Sequence, residues 1–218
     1  VDPHDLGETA RACMPTILQA FLGRPDDTPA GDAFERRLYV CRRTIEKKAD
    51  AEFALRDKIF YVCSMSSRTI VYKGMLVATQ MRRFFIDLND AAVKTAVALV
   101  HSRYSTNTTP SWERAHPNRF IIHNGEINTL KGNVNWIRAR EPNLYSPVLQ
   151  HDLERVMPII NREGSDSAIL DNVLEFLVMN GRPLTRAASM LLPEPWDHND
   201  NLSEERRAYD AYQSMLME

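Results

Sequence analysis

An arginine follows the most apolar stretch of the chain and begins a run of hydroxyl and amide side chains. The stretch AVALV (96–100) precedes Arg103, and residues 104–112 read YSTNTTPSW. A guanidinium keeps its charge inside a protein, so it needs a partner. Either Arg103 forms a structural ion pair, or its planar fork binds the carboxylate of a ligand. This segment alone leaves both interpretations open.

A second segment, residues 121–127, reads IIHNGEI. Asn-Gly between two β-prone runs is first of all a hairpin signal, and a turn is the favoured interpretation of these residues alone. The alternative is that the side-chain amide of Asn124 and the backbone N–H of Gly125 donate to one oxygen. An oxyanion hole requires such a pair of donors.

A third segment, residues 164–167, reads GSDS and precedes an apolar run. Taken alone, it is favoured as the N-cap of a helix. In a functional interpretation, Asp166 would accept a hydrogen bond from the ammonium group of a ligand. Together the three segments supply a carboxylate clamp, two oxyanion donors and an ammonium acceptor. Hydrolysis of the side-chain amide of a free α-amino acid would need this set.

The elements that must position these segments alternate irregularly between helix and strand. Apolar periodicity and capping signals predict helices over 8–22, 45–53, 130–140, 165–180, 185–192 and from 203 onward. β-prone runs predict strands over 34–42, 59–64, 68–73, 93–103 and 119–123, with the second and third as a hairpin. A hairpin early and helices late favour an α+β fold over a doubly wound parallel sheet.

Composition excludes several classes of function. The chain has 218 residues, with 27 Lys and Arg against 29 Asp and Glu, and a formal net charge of −2. This balance argues against a nucleic-acid partner. The absence of an apolar run of about 20 residues and of a signal peptide argues against a membrane segment and for the cytoplasm. The spacing of His101, His116 and His123 is too irregular to propose a metal site, and hydrogen-bonded structural roles are favoured.

Residues 101–141, HSRYSTNTTPSWERAHPNRFIIHNGEINTLKGNVNWIRARE, resemble the class II glutamine amidotransferase domain of glutamate synthase large subunits. Further stretches agree with that family: FERRLYVCRRTIE (34–46), FYVCSMSSRTIVYKGML (60–76), GSDSAILDNVLEFLV (164–178) and MLLPEPW (190–196). The resemblance implies that residues 1–218 are a partial amidotransferase domain. It also implies an N-terminal-nucleophile hydrolase fold, a four-layer αββα sandwich with two stacked sheets between helical layers.

The resemblance also implies residue roles, with glutamine as the substrate. Carried over by position, Arg103 would bind the α-carboxylate and Asp166 the α-ammonium group. Asn124 and Gly125 would form the oxyanion hole. The loop that follows Arg103 and contains Thr106 would close over the bound glutamine and exclude water.

The family's nucleophile is a cysteine at the mature N-terminus, whose own α-amino group serves as base. Such an amine, with a pKa of about 7.7–8.0, can take a thiol proton near neutral pH. Here the first residue is Val1, and the three cysteines are internal: Cys13, Cys41 and Cys63. We therefore expect the nucleophile upstream of Val1, no activity from this segment alone, and three reduced, mostly buried thiols.

For the full-length enzyme, the resemblance implies that ammonia passes to a synthase domain that aminates 2-oxoglutarate with FMN and an iron–sulfur cluster. We expect neither cofactor in this segment. The implied partners are L-glutamine and L-glutamate, other domains of the same polypeptide, and either a small electron-donating subunit or ferredoxin. The implied location is the cytoplasm, or the plastid in a photosynthetic eukaryote.

Two rival functions remain open at this stage. A non-catalytic module that senses glutamine or glutamate would use the same Arg103 and Asp166. A cysteine hydrolase would use Cys63 with an internal histidine, but Cys63 lies in an apolar strand pattern where a thiol is usually inert.

Overall fold

The computed structural model describes residues 1–53, 59–104, 109–125, 127 and 129–216. Within these ranges the regular elements are helical, and no β-strand is formed. The α-helices are α1 (Glu8–Ala12), α2 (Asp32–Phe53), α3 (Met81–Phe84), α4 (Leu130–Arg140), α5 (Leu153–Val156), α6 (Asp166–Met179), α7 (Leu184–Leu191) and α8 (Glu204–Met215). Short 3-10 turns lie at Ala78–Gln80, Ile86–Asn89, Glu141–Asn143 and Gln150–Asp152.

Helix α6 is the centre of the main core and confirms the helix predicted over 165–180. The hydroxyl of Ser165 caps it by accepting a hydrogen bond from Ala168 N, and Gly181 follows its end with φ of +87°. Most of its side chains are buried, on more than one face. It packs against α2 and α7, so these two helices help to exclude water from it. Burial of each large apolar side chain there contributes about 1.5–3 kcal/mol.

Helix α2 shows that the strand predicted over 34–42 is wrong. Its buried residues recur every four positions, in the pairs Phe34/Glu35, Leu38/Tyr39 and Arg42/Arg43. A strand would bury every second residue. The aromatic and β-branched content of this stretch suggested a strand, but burial at the helical period and the acidic Asp32 in the first turn favour the helix.

Four other helix predictions are confirmed, and one is only partly right. The stretch predicted as 45–53 is the second half of α2. The stretches predicted as 130–140, 185–192 and 203 onward are α4, α7 and α8. Ser203 caps α8 by accepting a hydrogen bond from Arg206 N at 3.2 Å. The helix predicted over 8–22 ends at Ala12, three residues before Pro15, because proline clashes with the preceding turn of a helix.

The strands predicted over 59–64, 68–73, 93–103 and 119–123 do not form among the described residues. The apolar run at 96–100, inside the strand predicted over 93–103, is exposed at Val97 (70%) and Val100 (76%). A strand satisfies its backbone N–H and C=O groups only by pairing with another strand. The α+β class and the αββα layers therefore stay predictions from the sequence and the resemblance.

A smaller second core brings the start of the chain against its middle. Leu6, Phe84, Phe85 and Trp112 are buried together. The Trp112 indole donates to Ala10 O at 3.0 Å, so the residue is held by a hydrogen bond as well as by packing. No helix in the described ranges is long and apolar enough to cross a membrane.

A cluster of charges lies inside the main core, and we call it the buried ionic network. The guanidinium of Arg42 is bonded to both carboxylate oxygens of Glu46, at 2.9 and 2.8 Å, and to Glu175. Glu46 also accepts from Arg43 at 3.2 Å and from Arg119 at 3.0 Å. Burial alone would raise the pKa of Glu46, but Arg42 and the other two arginines lower it below its usual value.

Candidate functional site

Arg103 and Asn124 lie together at the surface. The guanidinium donates from Nη2 to Asn124 Oδ1 at 3.3 Å, and both residues are exposed. The backbone N–H of Arg103 donates to His101 Nδ1 at 3.3 Å. Two segments that the sequence separates by about twenty residues therefore meet at one surface.

The contact between Arg103 and Asn124 determines how the amide can act. Because Oδ1 of Asn124 accepts from Arg103, the amide nitrogen is the atom that remains available as a donor. Gly125 is exposed, and a Cβ added to it would meet nothing within 4 Å. No described residue accepts a hydrogen bond from its backbone N–H. Two adjacent donors thus belong to exposed residues.

Asp166 is the first residue of α6 and is linked to the same turn. Its Oδ1 accepts from the backbone N–H of Ser167 at 2.7 Å and from the Ser167 hydroxyl at 3.1 Å. His123 Nε2 lies 2.7 Å from that hydroxyl oxygen. His123 Nε2 and Asp166 Oδ1 thus share the Ser167 hydroxyl as a hydrogen-bond partner. Asp166 is thereby connected through Ser167 to His123, the residue beside Asn124.

The charges of the site lack partners of opposite sign within the part of the chain that the structure describes. Arg103 forms no ion pair there with Asp or Glu, and Asp166 forms none with Lys, Arg or His. An unpaired guanidinium and an unpaired carboxylate are the groups that would pair with the carboxylate and the ammonium of a free amino acid.

Thr106, with the rest of the 105–108 stretch, lies outside the described residues. Tyr104 precedes this stretch and Ser111 follows it, and the Tyr104 hydroxyl donates to Ser111 O at 3.0 Å. Trp112, at the far end, belongs to the second core. The predicted closing loop is therefore anchored on both sides, and its role at the substrate stays a prediction.

The sequence analysis missed the grouping of His101, His116 and His123. The rings of His101 and His116 have centroids 4.6 Å apart, and those of His116 and His123 are 5.7 Å apart. Burial, and then the neighbouring His101 and His123, lower the pKa of His116 to about 4. The sequence contained an indication of this grouping, because His101 lies two residues before Arg103 and His123 directly precedes Asn124, and both of those residues were predicted to belong to one site.

The sequence analysis also missed Asp171, a carboxylate that is 1% exposed in the middle of α6. Its Oδ1 accepts from Phe120 N at 2.7 Å and Ile121 N at 3.0 Å, and its Oδ2 from Arg119 N at 3.1 Å. Burial raises the pKa of Asp171 above its usual value, while the three bonds stabilise the charge. An aspartate between the apolar positions 169, 170, 173 and 174 of a helix was the available signal.

Asp166 also lines a cavity of about 100 Å³ between α4, α6 and α7. The other walls of this cavity are mostly apolar: Ile127, Leu130, Asn133, Ile137, Ile169, Leu170, Val173 and Leu191. Neither Arg103 nor Asn124 contributes to it. The cavity therefore lies on the apolar side of Asp166, away from the polar groups that would bind a zwitterion.

Metal and cluster chemistry has no visible binding site in the described ranges. No group of three or more His, Cys, Asp or Glu side chains there could hold a metal ion. Cys13 and Cys41 are exposed, so the prediction of mostly buried thiols is wrong for these two. Cys63 is half-buried, and burial raises its pKa, which disfavours a reactive thiolate.

Comparison with known proteins gives a consistent assignment. The model of the family described as class-II glutamine amidotransferases matches residues 1–218. The chain is 50% identical over 218 residues to the glutamate synthase [NADPH] large chain of Bacillus subtilis (strain 168), covering 100% of this chain and 14% of that protein.

Two eukaryotic relatives are somewhat more distant. The chain is 45% identical over 226 residues to the glutamate synthase [NADH] of Schizosaccharomyces pombe, covering all of the chain and 10% of that protein. It is 41% identical over 215 residues to the chloroplastic ferredoxin-dependent glutamate synthase of Oryza sativa subsp. japonica, covering 97% of this chain and 13% of that protein. The chain thus spans between 10% and 14% of the length of these relatives. Because the family model matches it from end to end, the chain belongs to the class-II glutamine amidotransferases.

Proposed function

We propose that this chain is the glutamine-binding part of the amidotransferase domain of a glutamate synthase. The full-length enzyme would hydrolyse L-glutamine to L-glutamate and ammonia. The relatives that carry the name glutamate synthase support this assignment, and they match the chain at 41–50% identity. The proposal treats residues 1–218 as one partial domain of the N-terminal-nucleophile hydrolase type, with the αββα layers completed by polypeptide outside this chain.

One observation carries the proposal at the level of the site. Arg103 meets Asn124 at the surface, and Asn124 is joined to Asp166 through His123 and Ser167. In the proposal Arg103 binds the α-carboxylate, Asp166 the α-ammonium group, and the loop containing Thr106 covers the substrate. These groups recognise the invariant part of an amino acid, which leaves its side chain free to extend to the reacting centre.

Asn124 and Gly125 would act on the reacting amide. A cysteine thiolate attacks the amide carbon of glutamine, and the carbonyl oxygen becomes an oxyanion. The Asn124 amide nitrogen and the Gly125 N–H would donate to this oxygen at about 2.7–3.1 Å. The C–N bond then breaks and ammonia leaves with a proton returned by the α-amino base. Water hydrolyses the resulting thioester to glutamate and regenerates the thiol.

The proposal places the nucleophilic cysteine in polypeptide outside these residues, because Cys13, Cys41 and Cys63 are internal and have no free α-amino group. The synthase steps, with FMN and an iron–sulfur cluster and with either a small electron-donating subunit or ferredoxin, would also use other domains. The three cysteines here do not form a cluster site among the described residues. The proposed location is the cytoplasm, or the plastid in a photosynthetic eukaryote.

The decisive experiment follows ammonia release from L-glutamine by the full-length polypeptide that carries this chain. Asn124→Ala is expected to lower kcat by about 100-fold or more, because it removes one oxyanion donor. Asn201→Ala, a change at an exposed asparagine before α8, is the matched control and should leave kcat unchanged. Wild-type kcat in Asn124→Ala would contradict the proposal.

A non-catalytic glutamine-binding module is the alternative function. The exposed Arg103 and the half-buried Asp166, neither of which has an oppositely charged partner among the described residues, would serve it equally well. It predicts that the full-length polypeptide binds glutamine without releasing ammonia. The segment 1–218 by itself should release none in either case, and release that Cys63→Ala abolishes would instead support the cysteine hydrolase.

A further inference from the structure

Helix α6 contacts the segment before Asn124 at two places. Near its start, the Ser167 hydroxyl lies 2.7 Å from His123 Nε2. Further along, the Asp171 carboxylate accepts three consecutive backbone N–H groups, those of residues 119–121. We call residues 123–125 the oxyanion turn. The chain that enters this turn is therefore held by α6 immediately before the turn begins.

The bonds to Asp171 fix the backbone rather than a side chain. Three N–H groups that point at one carboxylate define both the position and the direction of residues 119–121. A buried carboxylate is a weak means of stabilising a core, because apolar residues of similar volume often do so equally well. The ionised group instead supplies charge-assisted bonds of defined geometry. This favours a positional role for Asp171.

The same helix carries the ammonium acceptor. Asp166 begins α6 and Asp171 follows five residues later, which is about 7.5 Å of helix rise. Both are attached to one rigid element of 14 residues. Any displacement of residues 119–121 relative to Asp171 would therefore change the distance between the oxyanion turn and Asp166.

We propose that Asp171, assisted by Ser167, positions the oxyanion turn relative to Asp166, so that one helix sets the separation between the oxyanion donors and the ammonium acceptor. Asp171 and Ser167 are positioning residues, since neither touches the substrate's reacting atoms. The proposal rests on the proposed function, in which Asn124, Gly125 and Asp166 act on glutamine.

The test measures kcat and KM for ammonia release from L-glutamine by the full-length polypeptide. Asp171→Asn keeps the size of the side chain but turns an NH2 group toward one of the three N–H donors. Misplacement of the turn should lower kcat by about 10- to 100-fold, because oxyanion stabilisation acts in the transition state. KM should stay within about twofold, because Arg103 and Asp166 are unchanged.

Asn172→Ala is the matched control. Asn172 is the next residue of α6, is 8% exposed, and also ties a loop to the helix, by accepting from Asn161 N at 3.0 Å. It does not contact residues 119–125 in any described hydrogen bond. Its removal should leave kcat within about twofold. Equal losses of kcat in Asp171→Asn and Asn172→Ala would show a merely structural role and overturn the proposal.

The outcome for Asn124→Ala separates this inference from the proposed function. If Asn124→Ala loses activity while Asp171→Asn retains wild-type kcat, the positioning role is wrong and the oxyanion role stands. If Asn124→Ala retains wild-type kcat, the oxyanion role fails, and the positioning role fails with it.

Two further measurements cover an Asp171→Asn variant that folds poorly. Ser167→Ala removes the second contact and should lower kcat by about 3- to 10-fold; an unchanged kcat would count against the proposal. Hydrogen exchange at the amides of residues 119–121 should be faster in Asp171→Asn than in Asn172→Ala. Equal exchange in the two variants would show that Asp171 does not hold this segment.

Discussion

Arg42 and Arg103 are in opposite situations in this chain. Arg42 is 1% exposed, and its guanidinium is bonded to two carboxylates of the buried ionic network. Arg103 is exposed, and its described side-chain bond goes to a neutral amide oxygen. In the network, charges are neutralised by other charges of the chain. At the candidate site, Arg103 and Asp166 have no oppositely charged partner among the described residues and remain available to a ligand.

This difference shows how the same residue types serve stability in one region and binding in the other. A buried arginine must be paired with carboxylates of the protein, because no solvent is present to stabilise its charge. An exposed arginine without a carboxylate partner keeps most of its five N–H donors for a ligand. Whether an arginine stabilises the core or can bind a ligand therefore depends on whether carboxylates of the protein neutralise its charge.

The largest expected effect is on stability, from a change within the network. Glu46→Gln removes the negative charge that Arg42, Arg43 and Arg119 share, and leaves them close together inside the core. We expect a destabilisation of about 3–5 kcal/mol. Hydrogen exchange of the α2 and α6 amides in the full-length polypeptide measures the free energy of opening of these helices.

Glu194→Gln is the control for this experiment. Glu194 pairs with Arg206 at 3.3 Å, and both side chains are about half exposed, at 46% and 53%. Water screens this pair, so we expect a change below about 0.5 kcal/mol. Similar effects in Glu46→Gln and Glu194→Gln would mean that burial of the network does not strengthen its ion pairs.

The next effect is on catalysis, with stability unchanged. Arg103→Lys keeps the charge but loses the planar fork, so the full-length enzyme should lose about 2 kcal/mol in kcat/KM for glutamine, roughly 30-fold. Steady-state kinetics measure this loss. Arg68→Lys, at an exposed arginine that pairs with Asp32 at 2.6 Å, should leave the kinetics unchanged. Unchanged glutamine kinetics in Arg103→Lys would remove Arg103 from the site.

The smallest effect concerns pH and the three histidines beside the candidate site. His116 is faced by His101, His123, Lys73 and Asp166, and its pKa is lowered to about 4. The unfolded chain binds a proton on this histidine near its ordinary value of about 6.5. Between these values the unfolded state binds more protons, so stability falls as pH decreases from about 6.5 to about 4.

His116→Gln should remove this part of the acid sensitivity. The loss in the parent protein is on the order of 1 kcal/mol, because water partly screens a half-buried imidazole. Hydrogen exchange at several pH values measures it. The difference in stability between parent and variant should be constant above pH about 7 and shrink below about 6.5. Parallel stability curves over the whole range would contradict the expectation.

The sequence predicted the helical half of the chain well. α6 and α8 have local signals, the Ser165 and Ser203 caps and the Gly181 stop, and such signals involve residues only a few positions apart. The helix predicted over 45–53 is the second half of α2, but the strand predicted over 34–42 is wrong, because the first turns of α2 are rich in aromatic and β-branched residues. Only the four-residue period of burial reveals them as helical.

The candidate site was predictable in its members but not in their connections. The types and spacing of Arg103, Asn124 and Asp166 indicated amino-acid chemistry, and the family resemblance assigned a role to each. The contacts that join them depend on residues far apart along the chain, such as His123 with Ser167. No local pattern reports such a pair, because it forms only when α6 packs beside the turn.

The amino-acid sequence therefore specified which charged and amide groups the chain carries, where four of its helices lie, and to which family it belongs. The packing of the folded chain specified which charges are neutralised and which are not. Asp171 illustrates the reason: its carboxylate bonds to backbone groups about fifty residues away. These groups are buried together and have lost their hydrogen bonds to water. The hydrogen bonds that they form with one another replace those bonds.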